Sequence, residues 1–256
     1  MGKINLKNNK KNHEIQEIYG FHSVKAALKN PKRKHFSLFI LEKYRNSLNL
    51  DSTNIGKINI LSTKEMSKLF GNESVTQGIA LRTTPLQKKN ITETLIKLKS
   101  NEFSIVVMLD QVTDPQNIGS IMRSCALFNC NTLIVAKDHA PNITPALSKS
   151  ASGAAEIVDY VKVVNLKRTL EDLKKLGYWI YGLDNSQKTS LKEINLPKKC
   201  VFILGSESKG IRNLNKKNCD SLFSLPSKTN KFYEIDSLNV SNACAVVLYE
   251  HFKTYN

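Results

Sequence analysis

The sequence predicts an α/β protein. A mostly parallel sheet with helices on both faces spans residues 102–256, preceded by a small α/β unit at 14–82. Three observations carry this. Strand-like apolar runs alternate with amphipathic stretches from Ser104 onward, the pattern of a parallel sheet. Polar knots, Asp114-Pro-Gln-Asn117 and Gly205-Ser-Glu207, directly follow two of those strands. A third knot, Ser237-Leu238-Asn239-Val240-Ser241, opens the last apolar run and lies downstream of Leu225-Pro226. Ligands of such sheets bind beyond the carboxyl ends of the strands, so the three knots are expected to meet in one site.

In the first unit, Ser23 is placed to cap a short helix that ends near Asn30-Pro31. Phe36–Leu41 and Lys57–Leu61 read as strands. Ser62 and Glu65 form a capping box that opens a helix stopped by Gly71, and Gly78–Leu81 closes the unit as a strand. Residues 83–101 read as a linker around Pro85 and Gln87-Lys-Lys-Asn90, with a short helix, Thr92–Lys99, belonging to the larger unit. That unit begins with the strand Ser104–Leu109 and the helix Asn117–Phe128, for which Asn117 is a candidate cap. Thr132–Ala136 is the next strand. Thr144–Ala151 is helical or irregular, and Tyr160–Val164 is a strand or an extended connection. Leu166–Leu176 is a helix stopped by Gly177. Tyr178–Gly182, Cys200–Leu204 and Leu222–Leu225 are short strands, and Asn239–Phe252 is the last helix.

Composition narrows the function. Thirty-eight Lys and Arg against 22 acids give a net charge of +16, the balance of a protein whose partner carries phosphate. A Lys- and Asn-rich composition without purpose is the competing reading. Residues 1–13 hold Lys3, Lys7, Lys10 and Lys11 and no acid, so a basic disordered tail is expected. The five cysteines form no C-x-x-C pair and sit mostly in apolar runs, as reduced thiols of a cytoplasmic protein do. No metal-ligand spacing, signal peptide or membrane-length apolar run is present.

The knots define the chemistry. Gly205-Ser-Glu-Ser-Lys-Gly210 is followed by Ile211 where a phosphate-binding loop needs Lys and Ser/Thr, and no G-x-G-x-x-G follows any strand. Nucleoside triphosphate and dinucleotide sites are therefore not indicated. Asp114-Pro115 forces a turn, and Gly119 in the first helical turn admits a second backbone. Arg123, six residues or about 1.7 turns past Asn117, reaches back toward the helix start through its long side chain.

Taken together, these stretches resemble the SpoU-type 2′-O-ribose RNA methyltransferases of the SPOUT class. The resemblance runs from 104 to 252 through Asp114–Gly119 with Arg123, Val201–Ile211, and Leu225-Pro226 with Asp236–Ser241. Lys149-Ser-Ala-Ser-Gly-Ala-Ala-Glu156 is similar to the branch that modifies a guanosine of bacterial 23S rRNA. Tyr19-Gly-Phe-His-Ser-Val24 resembles the start of its ribosomal-protein-like, RNA-binding domain. The resemblance implies a trefoil knot, S-adenosylmethionine as cofactor, a homodimer and an RNA substrate. It places Gly205, Ser206, Gly210, Leu225 and Leu238 around the cofactor. Asn117, Arg123, Glu207, Ser237 and Asn239 match the catalytic set. The link Ser227–Asp236 is longer and bulkier than is usual in the family.

A guanidinium titrates too high to be a good base, so Arg123 is expected to hold the 2′-hydroxyl or an adjacent phosphate and to stabilise developing alkoxide. Glu207 would orient Arg123 or the ribose, and the two asparagines would position the sugar. A tRNA ribose methyltransferase of the same family is the alternative enzyme. A non-catalytic RNA-binding assembly protein is the alternative of another class, against which the full set of polar site residues speaks.

Overall fold

The structure is a computed structural model that describes residues 15–48, 54–71, 76–226 and 237–255. The expected tail at 1–13 and the long link at 227–236 lie outside the described residues. The smaller unit runs β1 (Gln16–Tyr19), α1 (Phe21–Leu28), β2 (His35–Leu41), β3 (Ile55–Leu61), α2 (Thr63–Phe70) and β4 (Ile79–Thr83). Its sheet has the order β1-β4-β2-β3, in which only β2 and β3 are parallel. Strand alternation sends Leu38, Ile40, Ile79 and Leu81 to one face against Val24 and Ala27 of α1. Phe39, Leu41 and Ala80 go to the other face, against Met66 and Phe70 of α2.

The capping box at Ser62 and Glu65 forms in both directions, 2.9 and 3.3 Å. The expected cap at Ser23 does not. Helix α1 starts three residues earlier than a Ser23 cap would set it, after Gly20 in a positive-φ conformation, and Ser23 is buried inside it. Its hydroxyl donates to the Ser148 carbonyl at 2.6 Å, a partner 125 residues away that local capping rules cannot see.

The larger unit contains α3 (Ile91–Ser100), β5 (Ser104–Asp110), α4 (Pro115–Leu127), β6 (Thr132–Ala136), α5 (Pro145–Ala151), β7 (Asp159–Val163) and α6 (Leu166–Lys175). It continues with β8 (Trp179–Leu183), β9 (Lys199–Gly205), α7 (Asn213–Lys216), β10 (Ser221–Phe223) and α8 (Val240–Tyr255). All five neighbouring pairs of its sheet, order β10-β8-β9-β5-β6-β7, are parallel. Every residue of central β5 is buried, which is why it reads as a continuous apolar run and not as an alternating one. Helices α4, α5 and α8 cover one face, and α3 and α6 cover the other. Residues read as linker are held along this sheet. Lys89 bridges to Val161 and pairs with Asp159 at 2.9 Å, and Leu98 of α3 enters the core.

Two buried histidines give a pH dependence. His251 of α8 is fully buried among Phe103, Phe202 and Tyr255. Its Nε2 lies 2.9 Å from the Pro197 carbonyl, and Nδ1 has no hydrogen-bond partner among the described residues. Burial holds its pKa below the ordinary value, and burial followed by the Arg33 charge does the same to His35. Both take up a proton less readily in the fold than in the unfolded chain, which protonates near pH 6.5. Stability is therefore full above that pH and falls as pH drops below it, by up to roughly 1.4 kcal/mol per pH unit for each proton taken up on unfolding. Urea-unfolding midpoints at pH 7.5 and 5.5 should show the drop, and His251→Phe should reduce it without removing the His35 share. Equal slopes in both proteins would contradict this.

Candidate active site

The site is assembled where β5, β9 and the start of α8 come together. Asp110, the last residue of β5, is fully buried and pairs across the ladder with Gly205, the last of β9. Its carboxylate accepts from the Arg212 backbone N–H (2.9 Å), Arg212 Nε (2.7 Å) and Asn215 Nδ2 (2.8 Å). A buried charge satisfied three times pins the segment after β9 to the end of β5. The loop between folds back tightly. Gly210 donates to the Ser206 carbonyl at 2.8 Å. A Cβ on Gly205 would lie 1.9 Å from the Gly210 carbonyl carbon, so no other residue fits without moving the loop.

Asp114, not Asn117, caps α4. Its side chain accepts from the Asn117 backbone N–H at 2.8 Å, and Pro115 fills the first helical position, where no N–H is needed. This displacement of the expected cap frees the Asn117 carboxamide for other contacts. Gly119 behaves as expected, since a Cβ there would lie 2.6 Å from the Leu147 carbonyl oxygen of α5.

The three knots do meet. Asn239 Nδ2 donates to Glu207 Oε1 at 2.6 Å and to Asn117 Oδ1 at 3.0 Å, and Asn117 Nδ2 approaches the same Glu207 oxygen at 3.4 Å. Glu207 also accepts from the Val240 N–H at the head of α8, 3.4 Å, where a negative charge is favoured. Ser241 secures Asn239 from behind by donating its N–H (2.9 Å) and hydroxyl (2.6 Å) to Oδ1.

Beside this cluster lies a cavity of about 540 Å³. Gly205, Ser206, Gly210, Leu225 and Leu238 all line it, together with Glu207 and Ser237. Its volume falls in the range of small-molecule sites. Aliphatic side chains beside bare glycine backbone suit a purine and an amino-acid chain. Sequence reasoning did not single out Asp184, which borders the same cavity at the end of β8. Burial opposes its charge, but Lys216 at 2.7 Å and the Ser186 hydroxyl and N–H hold its carboxyl down to about 2. Asp110 was not singled out either. Its signal is a carboxylate directly after a fully apolar run, which must find partners to be buried there.

Arg123 stands apart from the cluster. It is exposed on α4 and lines a second cavity, of about 840 Å³, between the two sheets. The Glu207 carboxylate bonds the two asparagines, and Arg123 is not among its partners.

Comparison with known proteins decides the family. The pattern of the SpoU rRNA Methylase family matches residues 104–249, more than half of the chain.

The chain belongs to the SpoU rRNA methylase family.

A second pattern, RNA 2′-O ribose methyltransferase substrate binding, matches residues 18–89, the smaller sheet and the start of the connection. The 23S rRNA (guanosine-2′-O-)-methyltransferase RlmB of Coxiella burnetii is 34% identical over 93% of this chain and 95% of its own length. RlmB of Neisseria meningitidis is 32% identical over 91% and 93%. Among solved structures, the SpoU methyltransferase AviRb of Streptomyces viridochromogenes, in complex with AdoMet, shares the fold. Its TM-score is 0.75 at 20% identity, over 94% of this chain and 90% of that one. This SpoU protein is thus an RNA 2′-O-ribose methyltransferase. No helix among the described residues is long and apolar enough to cross a membrane, and no described cluster of His, Cys, Asp and Glu could hold a metal.

Proposed function

We propose that this chain methylates the ribose 2′-oxygen of a guanosine in 23S rRNA, using the Asn117–Glu207–Asn239 cluster and Arg123. The observation that carries the reading is the convergence of Asn117, Glu207 and Asn239, from three separate segments, at the rim of the cavity formed by Gly205, Ser206, Gly210, Leu225 and Leu238. Relatives named for 23S rRNA guanosine methylation match 93% of the chain, the smaller unit included, and this favours rRNA over tRNA.

When bound, S-adenosylmethionine supplies a methyl group on a positively charged sulfur, already activated for attack. The protein's part is to align the 2′-hydroxyl with that methyl group and to stabilise the oxygen as its proton passes to solvent. Asn117 and Asn239, held to one carboxylate oxygen, present amide groups at fixed positions for the ribose. Glu207 keeps a second carboxylate oxygen for a ribose hydroxyl. Arg123 holds an adjacent phosphate or the developing alkoxide, because a group charged at every working pH stabilises an anion and does not take its proton. Ser237, at the cavity wall, completes the set.

The remaining family features belong to the same reading. A homodimer is supported by exposed apolar side chains on neighbouring helices, Leu127 of α4 with Val246 and Tyr249 of α8. A trefoil knot is proposed for the larger unit on the strength of the family resemblance. The smaller sheet, 14–82, is proposed as the ribosomal-protein-like RNA-binding domain, joined through 83–101 to the methyltransferase domain at 102–256, and the protein is placed in the cytoplasm, with its rRNA.

Mapping 2′-O-methylation on total RNA with and without this gene tests the proposal. One guanosine mark should vanish from 23S rRNA. A mark lost from tRNA selects the alternative substrate. An unchanged map, with no affinity for S-adenosylmethionine by calorimetry, overturns the enzyme reading.

A further inference from the structure

We infer that the cleft between the two sheets is the seat of the target nucleotide, unstacked from its strand, with an adjoining phosphate. The inference rests on the methyltransferase reading above and goes on to name the residues that receive the substrate. The cleft, about 840 Å³, is larger than the cofactor cavity and separate from it. One wall is α4, which supplies Gln116 and Arg123. Asn117, next to Gln116, belongs to the cluster on the rim of the cofactor cavity. The head of α4 is thus shared by the cleft and the cluster, and a nucleotide held in the cleft turns its ribose toward that shared end of the helix.

The opposite wall comes from the smaller unit, and its position is fixed. Ser23 donates to the Ser148 carbonyl, and a Cβ on Gly153 would lie 2.7 Å from Ala26 Cβ, so α1 packs directly on the segment after α5. Gly20, at φ +87°, keeps the floor open. A Cβ there would come within 3.1 Å of Gln77 Oε1 and 3.3 Å of Lys149 Cγ. Gln77 itself sits at φ +56°, an uncommon conformation for a side-chain-bearing residue, and is held at the cleft.

The chemistry of the lining selects the ligand. Arg123 and Lys149 are cationic, and no carboxylate lines the cleft among the described residues. Gln77 and Gln116 each carry an amide that donates and accepts, as reading a base edge requires. Enzymes that act on one nucleotide of a folded RNA or duplex take it out of its stack, and a preformed cleft of this size and charge accepts it.

The test uses the full-length protein and deproteinised 23S rRNA from cells lacking the gene. Methyl transfer is measured for wild type, Gln77→Glu, Lys149→Gln and a control, Lys192→Gln, which removes an exposed charge away from the cleft. Gln77→Glu turns a donor into an acceptor and adds a charge, while Lys149→Gln removes a phosphate partner. Each should lower kcat/KM for RNA about tenfold or more. S-adenosylmethionine affinity should stay within about twofold of wild type, because neither residue touches the cofactor cavity. Lys192→Gln should match wild type. Wild-type kcat/KM in both cleft variants, or an equal loss in Lys192→Gln, overturns the cleft assignment. Absence of transfer by wild type overturns the underlying reading instead. If Gln77→Glu fails to fold, Lys149→Gln decides alone.

Discussion

Arg123→Ala is expected to lower single-turnover methyl transfer by on the order of 10²–10³-fold while leaving S-adenosylmethionine affinity within about twofold. The split comes from position. Arg123 lies on α4, about 1.7 turns past Asn117, and faces the cleft between the sheets, whereas the cavity proposed for the cofactor is lined by residues around the ends of β8 and β9, Lys216, Leu225 and the start of α8, none of them from α4. A group that stabilises charge only as the 2′-oxygen attacks lowers the barrier and not the ground state. Lys at this position should restore little, since a point charge on a flexible stem does not reproduce a planar fork. In the free protein Arg123 and Glu207 do not bond, so losses in Arg123→Ala and Glu207→Ala should add unless RNA brings the two groups together. A coupling well above about 0.5 kcal/mol in the double mutant would report that closure. Near-wild-type turnover of Arg123→Ala would remove it from the mechanism.

The parts of this site that were legible in the sequence are those written in local chemistry. Asp114-Pro115, Gly205 and Gly210, and the Asn239–Ser241 stretch each carry their own turn, close approach or cap, and the structure places all of them at the ends of β5 and β9 or the head of α8. Central strands β5 and β9 were legible because burial on both faces leaves an unbroken apolar run. What could not be read was pairing over long sequence separation. The bond of Asp110 to Arg212 and Asn215 spans more than a hundred residues, and that of Ser23 to Ser148 spans 125. A carboxylate after an apolar run announces that Asp110 needs partners but not which ones, and Ser23 carries no local sign of Ser148 at all. Asn117 shows the same limit at short range. Two cap formers stand three residues apart, and only Pro115 at the first helical position decides that Asp114 takes the role.

The second large effect is expected at Glu156. Arg33 is almost wholly buried, and its guanidinium grips Glu156 with two bonds of 2.9 and 2.8 Å while Nη1 donates to Gln16 Oε1 and the Thr84 carbonyl. Asn30 adds a third bond to the same carboxylate at 2.7 Å. The pair ties the loop after α1 to the turn before β7, across the boundary between the two sheets. Glu156→Ala leaves a buried guanidinium short of its counter-ion, so the docking of the smaller unit should weaken by roughly 3–5 kcal/mol. Replacing both residues with apolar side chains of similar size, Arg33→Met with Glu156→Leu, should cost much less, because no charge is then stranded. The readout separates undocking from unfolding. Limited proteolysis in the 85–90 segment should quicken in Glu156→Ala, releasing a fragment that starts near residue 90 and keeps S-adenosylmethionine affinity, since no residue lining the proposed cofactor cavity comes from the smaller unit. Methylation of 23S rRNA should fall with it, as the cleft loses one of its walls. A wild-type cleavage rate in Glu156→Ala, with stability unchanged, would mean that the ion pair contributes nothing to holding the two sheets together.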